Sequence, residues 1–316
     1  MSIIEVKDLK KYFHVKRGFF SKVEWLRAVD GISFSMGEGK VLSIVGESGS
    51  GKSTVAMLIL RLINPTSGLI LFKGKNIFEL RGETLREFRR KVQIIFQDPF
   101  ASLNPRMTVY DIISEPFKIH KLINKSLIKE KCVNLLENVG LTSDILNRYP
   151  HEFSGGQRQR ICIARAIAVS PEVLVADEPL SSLDVSIQAQ ILTLLQNLQK
   201  RLKLSLLFIS HDLNVVQYIS DEVVVMYLGK VVEYAKTEDI FDNPLHPYTI
   251  ELLSSIPRIG ISKSGYIFRK GYEELFVNNI TGCAFYPRCP SRLEICKFEA
   301  PNLKEKKGRL ISCHFQ

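Results

Sequence analysis

The chain has 316 residues, of which 45% are hydrophobic and 24% charged, and it carries a formal net charge of +10. That length accommodates a substantial core plus a second lobe. No run of 18 or more apolar residues occurs, which excludes a transmembrane helix, and the opening MSIIEVKDLKK lacks the order of a signal peptide. A cytosolic setting with reduced thiols is therefore expected. Excess positive charge favours nucleic acid, an anionic membrane surface or phosphate ligands without choosing among them.

In chain order, residues 3–6 and 28–34 read as strands of a separate antiparallel piece. Residues 41–45, 173–176 and 204–209 are continuous apolar runs bounded by Gly, Asp or Ser, the pattern of buried strands. Residues 55–63 carry Val55, Leu58, Ile59 and Leu62 at helical spacing, and residues 127–139 do so through Leu127, Ile128, Leu135 and Leu136. Buried strands alternating with helices imply a mostly parallel sheet covered on both faces. Residues 223–226 and 230–233 flank Gly229 and predict a hairpin. Beyond residue 236 the pattern weakens; residues 243–248 (NPLHPY) are turn-rich and residues 258–281 read as a linker.

Residues 46–54, GESGSGKST, match G-x-x-x-x-G-K-S between a predicted strand and a predicted helix. Gly46, Ser48, Gly49, Ser50 and Gly51 offer backbone N–H groups to β- and γ-phosphates, aided by the positive end of the following helix. Lys52 would neutralise the terminal phosphates, Ser53 would give a hydroxyl to Mg²⁺ and Thr54 would bond the α-phosphate. After the apolar run 173–176 come Asp177 and Glu178. A carboxylate at such a strand end can hold the Mg²⁺ shell, and its neighbour can polarise an attacking water, so hydrolysis is expected. Residues 153–168, FSGGQRQRICIARAIA, open a helix with Ser154, Gly155 and Gly156, a second anion-binding arrangement.

The ordered set of the 46–54 loop, Gln97 in IIFQDP, SGGQ at 154–157, VLVADEP with Asp177 and Glu178, SSLD ending at Asp184, and His211 in ISHD resembles the nucleotide-binding subunits of ATP-binding cassette (ABC) transporters. The resemblance covers roughly residues 1–250 and implies an α/β P-loop NTPase (RecA-like) core with an antiparallel β-subdomain and a helical signature subdomain. It implies that ATP and Mg²⁺ bind, that Ser154, Gly155, Gly156 and Gln157 face the γ-phosphate of a partner cassette, and that Gln97 touches Mg²⁺ and the attacking water. Asp177 joins Ser53 and Gln97 as a Mg²⁺ residue, Glu178 and His211 act on the γ-phosphate side, and Asp184 communicates across the dimer. Phe13 stacks on adenine, with Tyr12 its competitor.

More narrowly, LRAVDGISF (26–34), LDVSIQAQIL (183–192), the stretch 211–233 and NPLHPYTIELLSSIP (243–257) resemble the ATPases of oligopeptide/dipeptide/nickel importers, closest to the F-type subunit. The insertion within residues 14–27 fits that subtype, through a partner contact or local packing of Phe19, Phe20 and Trp25. The implied partners are a second ATPase subunit in a heterodimer, two transmembrane permease subunits and an extracellular solute-binding protein, at the cytoplasmic face of the membrane, with no nucleic acid. The implied division is 1–240 for the ATPase domain, with a helical subdomain at about 98–165, and 241–316 for a C-terminal region. Met107, Val109 and Ile112 would line the groove for the membrane partner or fill the core of the helical lobe. A soluble cassette ATPase acting on nucleic acid remains the rival, although there is one cassette and no zinc module or coiled-coil heptads between Gln97 and Ser154. Peptide, nickel and sugar cargoes stay open.

Four of six cysteines fall in the last 34 residues, spaced Cys283-x5-Cys289-x6-Cys296-x16-Cys313. Reduced thiols suit a tetrahedral S4 site, and spacings wider than those of structural zinc favour an iron–sulfur cluster over Zn²⁺. The tail resembles that of the peptide-importer ATPases, which implies a 4Fe–4S cluster in a small Cys-rich metal-cluster lobe. Cys132 and Cys162, on helix faces, are expected to pack as small apolar groups.

Overall fold

The structure, a computed structural model, describes residues 2–16, 23–255 and 281–316. Phe19, Phe20 and all but the last residue of the expected linker lie outside the described residues. In chain order the described strands are β1 (Ser2–Lys16), β2 (Val23–Gly37), β3 (Val41–Val45), β4 (Ser67–Phe72), β5 (Lys75–Asn76), β6 (Val92–Ile95), β7 (Val173–Asp177), β8 (Ser205–Ile209), β9 (Glu222–Tyr227), β10 (Lys230–Lys236), β11 (Lys304–Lys306) and β12 (Arg309–Ile311). The chain divides into two compact units.

The first unit comprises Met1–Gly37, Val41–Phe78 and Ser210–Gln316. Its antiparallel sheet has the order β2-β1-β4-β5. Both long strands exceed the expected 3–6 and 28–34, because polar residues alternate with buried Ile4, Val6, Leu9, Val29 and Ile32 instead of ending the strand. Register shifts near Val6 and Leu9 mark bulges that re-aim β1. At the far end Trp25 packs against His14 in a tilted arrangement, with ring centroids 3.6 Å apart. The other strands of this unit run β11-β12-β10-β9-β3. β3 and β9 are parallel, whereas β9, β10, β12 and β11 are antiparallel neighbours. The last hairpin, β11–β12, extends the antiparallel side of this sheet beyond what the sequence suggests.

The second unit, Glu38–Lys40 with Glu79–Ile209, holds the parallel strands β8-β7-β6. Its helices Val109–His120, Ile128–Asn138 and Gly155–Ile167 pack on one another, and Val109, Ile112, Phe117, Leu136 and Ile161 on them are buried. Val109 and Ile112 are therefore core. Cys132 and Cys162 are buried there too, and burial pushes both thiols up to about 11, well above the range where they would ionise.

The C-terminal part of the first unit is organised around a buried carboxylate. Glu233 on β10 accepts from the Leu245 and His246 N–H groups at 3.0 and 2.9 Å, and Arg309 of β12 stands 3.5 Å away. One side chain thereby satisfies the NPLHPY turn and the final hairpin, as a charge with no solvent access requires. His246 is also buried; its Nδ1 accepts from the Tyr248 N–H at 3.0 Å and caps helix Pro247–Ser254. Burial lowers its pKa from 6.5 to about 3, against a smaller opposing effect of a hydrogen bond to the Ser312 backbone. Between those values the unfolded chain binds a proton that the folded chain does not. This contribution to stability is complete above pH 6.5 and is lost progressively as pH falls towards about 3, at up to about 1.4 kcal/mol per pH unit. His246→Asn, which keeps a capping oxygen, should show a shallower fall in Tm between pH 7 and pH 5 than the parent chain. Parallel curves would exclude the assignment.

Candidate functional site

In the first unit, β3 is buried throughout and delivers the chain into the 46–51 loop, which opens helix Lys52–Ile59. The turns of the loop need positive φ: 151° at Gly46, 78° at Gly49 and 102° at Gly51. Two of these positions also admit no side chain. A β-carbon on Gly46 would lie 2.2 Å from the Met226 carbonyl oxygen, and one on Gly51 would lie 2.2 Å from that of Ala28. The loop backbone therefore presses directly on β9 and β2. The Gly229 N–H donates to the Ser50 carbonyl at 3.0 Å, and the Asp30 N–H to that of Gly229 at 2.8 Å.

Lys52 is 4% exposed, and its ammonium donates to the Gly46 and Glu47 carbonyls, both at 2.8 Å, so it stays at the centre of the loop. Ser53 and Thr54 are half-buried in the first helical turn, and Ser48 and Gly49 are exposed. This geometry is an anion nest with a cation within it. The Glu47 N–H donates to the Tyr248 hydroxyl at 2.9 Å, so the turn-rich 243–248 segment supports the loop, a role its sequence does not announce.

Elsewhere in this unit, His211 is exposed in the turn before helix Leu213–Ile219, whose first N–H groups are capped by Asp212. Phe13 is half-buried on β1, paired in register with Leu26, and the Lys11 ammonium lies 5.0 Å from its ring. The Tyr12 hydroxyl instead donates to Asp30 at 2.5 Å; burial together with that carboxylate pushes the phenol up to about 12.

The second unit brings two expected catalytic residues together. The Gln97 side-chain amide donates to Glu178 Oε2 at 3.1 Å. Glu178 follows Asp177, the last residue of β7, and holds φ at 45°, a left-handed conformation that costs about 1–3 kcal/mol and that recurs at functional sites. Its N–H donates to the Ile209 carbonyl at 2.9 Å, which fixes the turn. Ser154 caps helix Gly155–Ile167 in a capping box with Gln157: its Oγ accepts from the Gln157 N–H at 3.4 Å, while Gln157 Oε1 accepts from the Ser154 N–H at 3.1 Å. A β-carbon on Gly156 would stand 2.6 Å from Ile187 Cγ2, so the helix start lies close against helix Val185–Leu202. Exposed Asp184 begins that helix, its carbonyl accepting from the Ile187 and Gln188 N–H groups. Buried Gln159 donates to the Pro179 carbonyl at 2.8 Å and joins the signature helix to the turn after Glu178. Next to Gln97 lie Phe96 and Phe100, which are 41% and 58% exposed and carry no expectation from the sequence. Two aromatics flanking an expected site glutamine were the available signal.

The cysteines behave differently from their expectation. Cys283, Cys289, Cys296 and Cys313 are free thiols in one lobe, and the Cys283 N–H donates to the Cys296 carbonyl at 2.8 Å. That bond joins backbones, not sulfurs: among the described residues no group of three or more His, Cys, Asp or Glu side chains is placed to hold a metal ion. Burial pushes the Cys289 thiol up to about 11 and raises those of Cys283 and Cys313, with the other thiols adding to each shift. The metal-cluster lobe expected from the spacing is thus not shown by this geometry.

The ABC transporter family matches residues 29–181, and the C-terminal region of oligopeptide/dipeptide transporters matches residues 232–296. The oligopeptide transport ATP-binding protein AppF of Bacillus subtilis is 51% identical, over 99% of this chain and 97% of that protein. The dipeptide transport ATP-binding protein DppF of Haemophilus influenzae is 48% identical, over 98% and 96%. Among solved structures, the dimeric ATP-binding cassette MJ0796 in a post-hydrolysis state bound to ADP and Pi is similar, with a TM-score of 0.65 at 26% identity over 74% of this chain and 98% of that one. The fold and the loop thus define an ABC-type P-loop ATPase. The chain belongs, more narrowly, to the ATP-binding subunits of the oligopeptide/dipeptide transporter family.

Proposed function

We propose that this ATPase powers the import of peptides from the cytoplasmic face of a cell membrane, as one cassette of a heterodimer docked on two permease subunits and served by an extracellular solute-binding protein. Two relatives named for oligopeptide and dipeptide transport support the peptide cargo over nickel or sugars. Among the described residues no helix is long and apolar enough to cross a membrane, so the permeases supply the passage. Exposed Phe96 and Phe100, on either side of Gln97, suit an apolar permease element. Functionally the chain divides into an ATPase domain at 1–240, with its helical subdomain at about 98–165, and a C-terminal region at 241–316.

The observation that carries the catalytic reading is the hydrogen bond from Gln97 to Glu178. It puts an amide beside a carboxylate that can orient and deprotonate water. Gly46, Ser48, Gly49, Ser50 and Gly51 cradle the phosphates, Lys52 neutralises them, Thr54 bonds the α-phosphate and Phe13 stacks on adenine. Ser53, Gln97 and Asp177 provide the hydroxyl, amide and carboxylate oxygens that a hard Mg²⁺ ion takes, and that ion when bound disperses phosphate charge. His211 contacts the γ-phosphate. Ser154, Gly155, Gly156 and Gln157 complete the partner's site, and Asp184 links the two. Glu178→Gln should lower ATP turnover by about a hundredfold or more and should accumulate an ATP-bound dimer by size-exclusion chromatography. A variant that stays monomeric and hydrolyses ATP at the parental rate would refute the assignment.

For the C-terminal lobe the finer reading is a 4Fe–4S cluster on Cys283, Cys289, Cys296 and Cys313, with Zn²⁺ as the alternative. It is supported by donor chemistry, four free thiols that feel one another's charge. Protein purified without oxygen should be brown, with about four irons per chain; colourless protein without iron would remove the cluster.

A further inference from the structure

The C-terminal lobe reaches the nucleotide loop through one side chain. Arg288, immediately before Cys289, donates through both terminal nitrogens to the Glu47 carboxylate, at 2.9 Å each. Glu47 is the second residue of the loop, and the two positions are 241 residues apart in sequence. The same guanidinium donates to Glu251 at 2.7 Å. Glu251 lies on helix Pro247–Ser254, which also carries Tyr248, the acceptor of the Glu47 N–H. Every polar group of Glu47 is thereby engaged: its N–H by Tyr248, its carboxylate by Arg288 and its carbonyl by Lys52.

The surroundings of Arg288 hold it in place. Its guanidinium lies 5.8 Å from the ring centroids of both Tyr227 and Phe285. Those rings pack against Tyr248, at 4.6 and 5.5 Å between centroids, and all three residues are buried. The Arg288 side chain is 17% exposed and that of Glu251 also 17%, against 42% for Glu47, so the fixed end of the contact is in the lobe and the adjustable end is in the loop. A planar bidentate pair sets orientation as well as distance, which a lysine in the same place would not do.

The chemistry explains what such a contact would serve. A carboxylate beside a triphosphate-binding nest opposes the approach of an anion, and a guanidinium on that carboxylate cancels the opposition. We propose that Arg288 is a positioning residue for ATP, acting through Glu47: it fixes the second residue of the phosphate loop and masks its charge, so that nucleotide affinity depends on the C-terminal lobe. This rests on the loop being the ATP site.

The test is a double-mutant cycle in the full-length chain, reading the Kd for ATP with Mg²⁺, KM, kcat and Tm. Arg288→Ala should weaken ATP binding and raise KM by about tenfold, equivalent to about 1.4 kcal/mol, with kcat changed far less. The effect should grow as salt is lowered. Arg288→Lys should fall between the two. Glu47→Gln removes the charge that Arg288 masks, and should bring the Arg288→Ala variant back towards the parental Kd, a rescue that a purely structural tether would not give. If Arg288→Ala fails to fold, Arg288→Lys takes its place in the cycle, and the affinity that it loses should largely disappear in the Glu47→Gln background. Parental affinity in the Arg288 variants, or strictly additive losses with Glu47→Gln, would overturn the proposal while leaving the ATP site standing. A parental chain that binds no ATP would overturn both.

Discussion

Backbone pressed on backbone is the constraint from which the nucleotide site follows. Met226 and Ala28 turn their carbonyls towards Gly46 and Gly51 so closely that a β-carbon at either glycine would sit 2.2 Å from oxygen. The loop cannot relax outward without losing the Gly229–Ser50 hydrogen bond, and its turns need the positive φ angles that its glycines hold. The buried strand β3 sets where the loop starts, and helix Lys52–Ile59 sets where it ends. Lys52 then holds its ammonium against the Gly46 and Glu47 carbonyls, the position from which a phosphate can recruit it.

The second unit meets a similar demand by a different device. Glu178 is held in a left-handed conformation without being a glycine, and the hydrogen bonds of its N–H to Ile209 and of the neighbouring Pro179 carbonyl to Gln159 offset that strain. The fixed backbone leaves the carboxylate to meet Gln97. The close approach of Gly156 to Ile187 ties the start of the signature helix to the segment after Asp184. The two elements expected to face a partner cassette are therefore mechanically linked within this unit.

Much of this was legible in the sequence where the signal was local. Apolar runs located β3, β7 and β8, and Gly229 located the β9–β10 turn, because a buried parallel strand has no polar face to confuse the pattern. The extent of β1 and β2 was not legible, since alternating lysines read as interruptions until a sheet gives them an outer face. β11 and β12, with the sequences KEK and RLI, are too short and too charged to announce themselves; β12 joins the sheet because Arg309 reaches buried Glu233. The fixed motifs were visible as motifs, whereas Tyr248 and Arg288 contact the loop from more than 200 positions away, where no local pattern reports them. The four cysteines are a different case: their spacing suggested a metal site, and among the described residues no group of three or more ligating side chains is placed to hold one.

A comparison of two glycines isolates the loop's close approach. Gly51 and Gly39 both hold positive φ, at 102° and 68°, but a β-carbon on Gly39 meets nothing within 4 Å. Alanine at Gly39 should therefore cost about 1 kcal/mol of backbone strain and leave the affinity for ATP with Mg²⁺ unchanged. Gly51→Ala should cost distinctly more stability and weaken ATP by about tenfold or more, measured by calorimetric titration on folded protein. Equal stability losses with equal ATP affinity in the two variants would contradict the claim that the packed loop backbone makes the site.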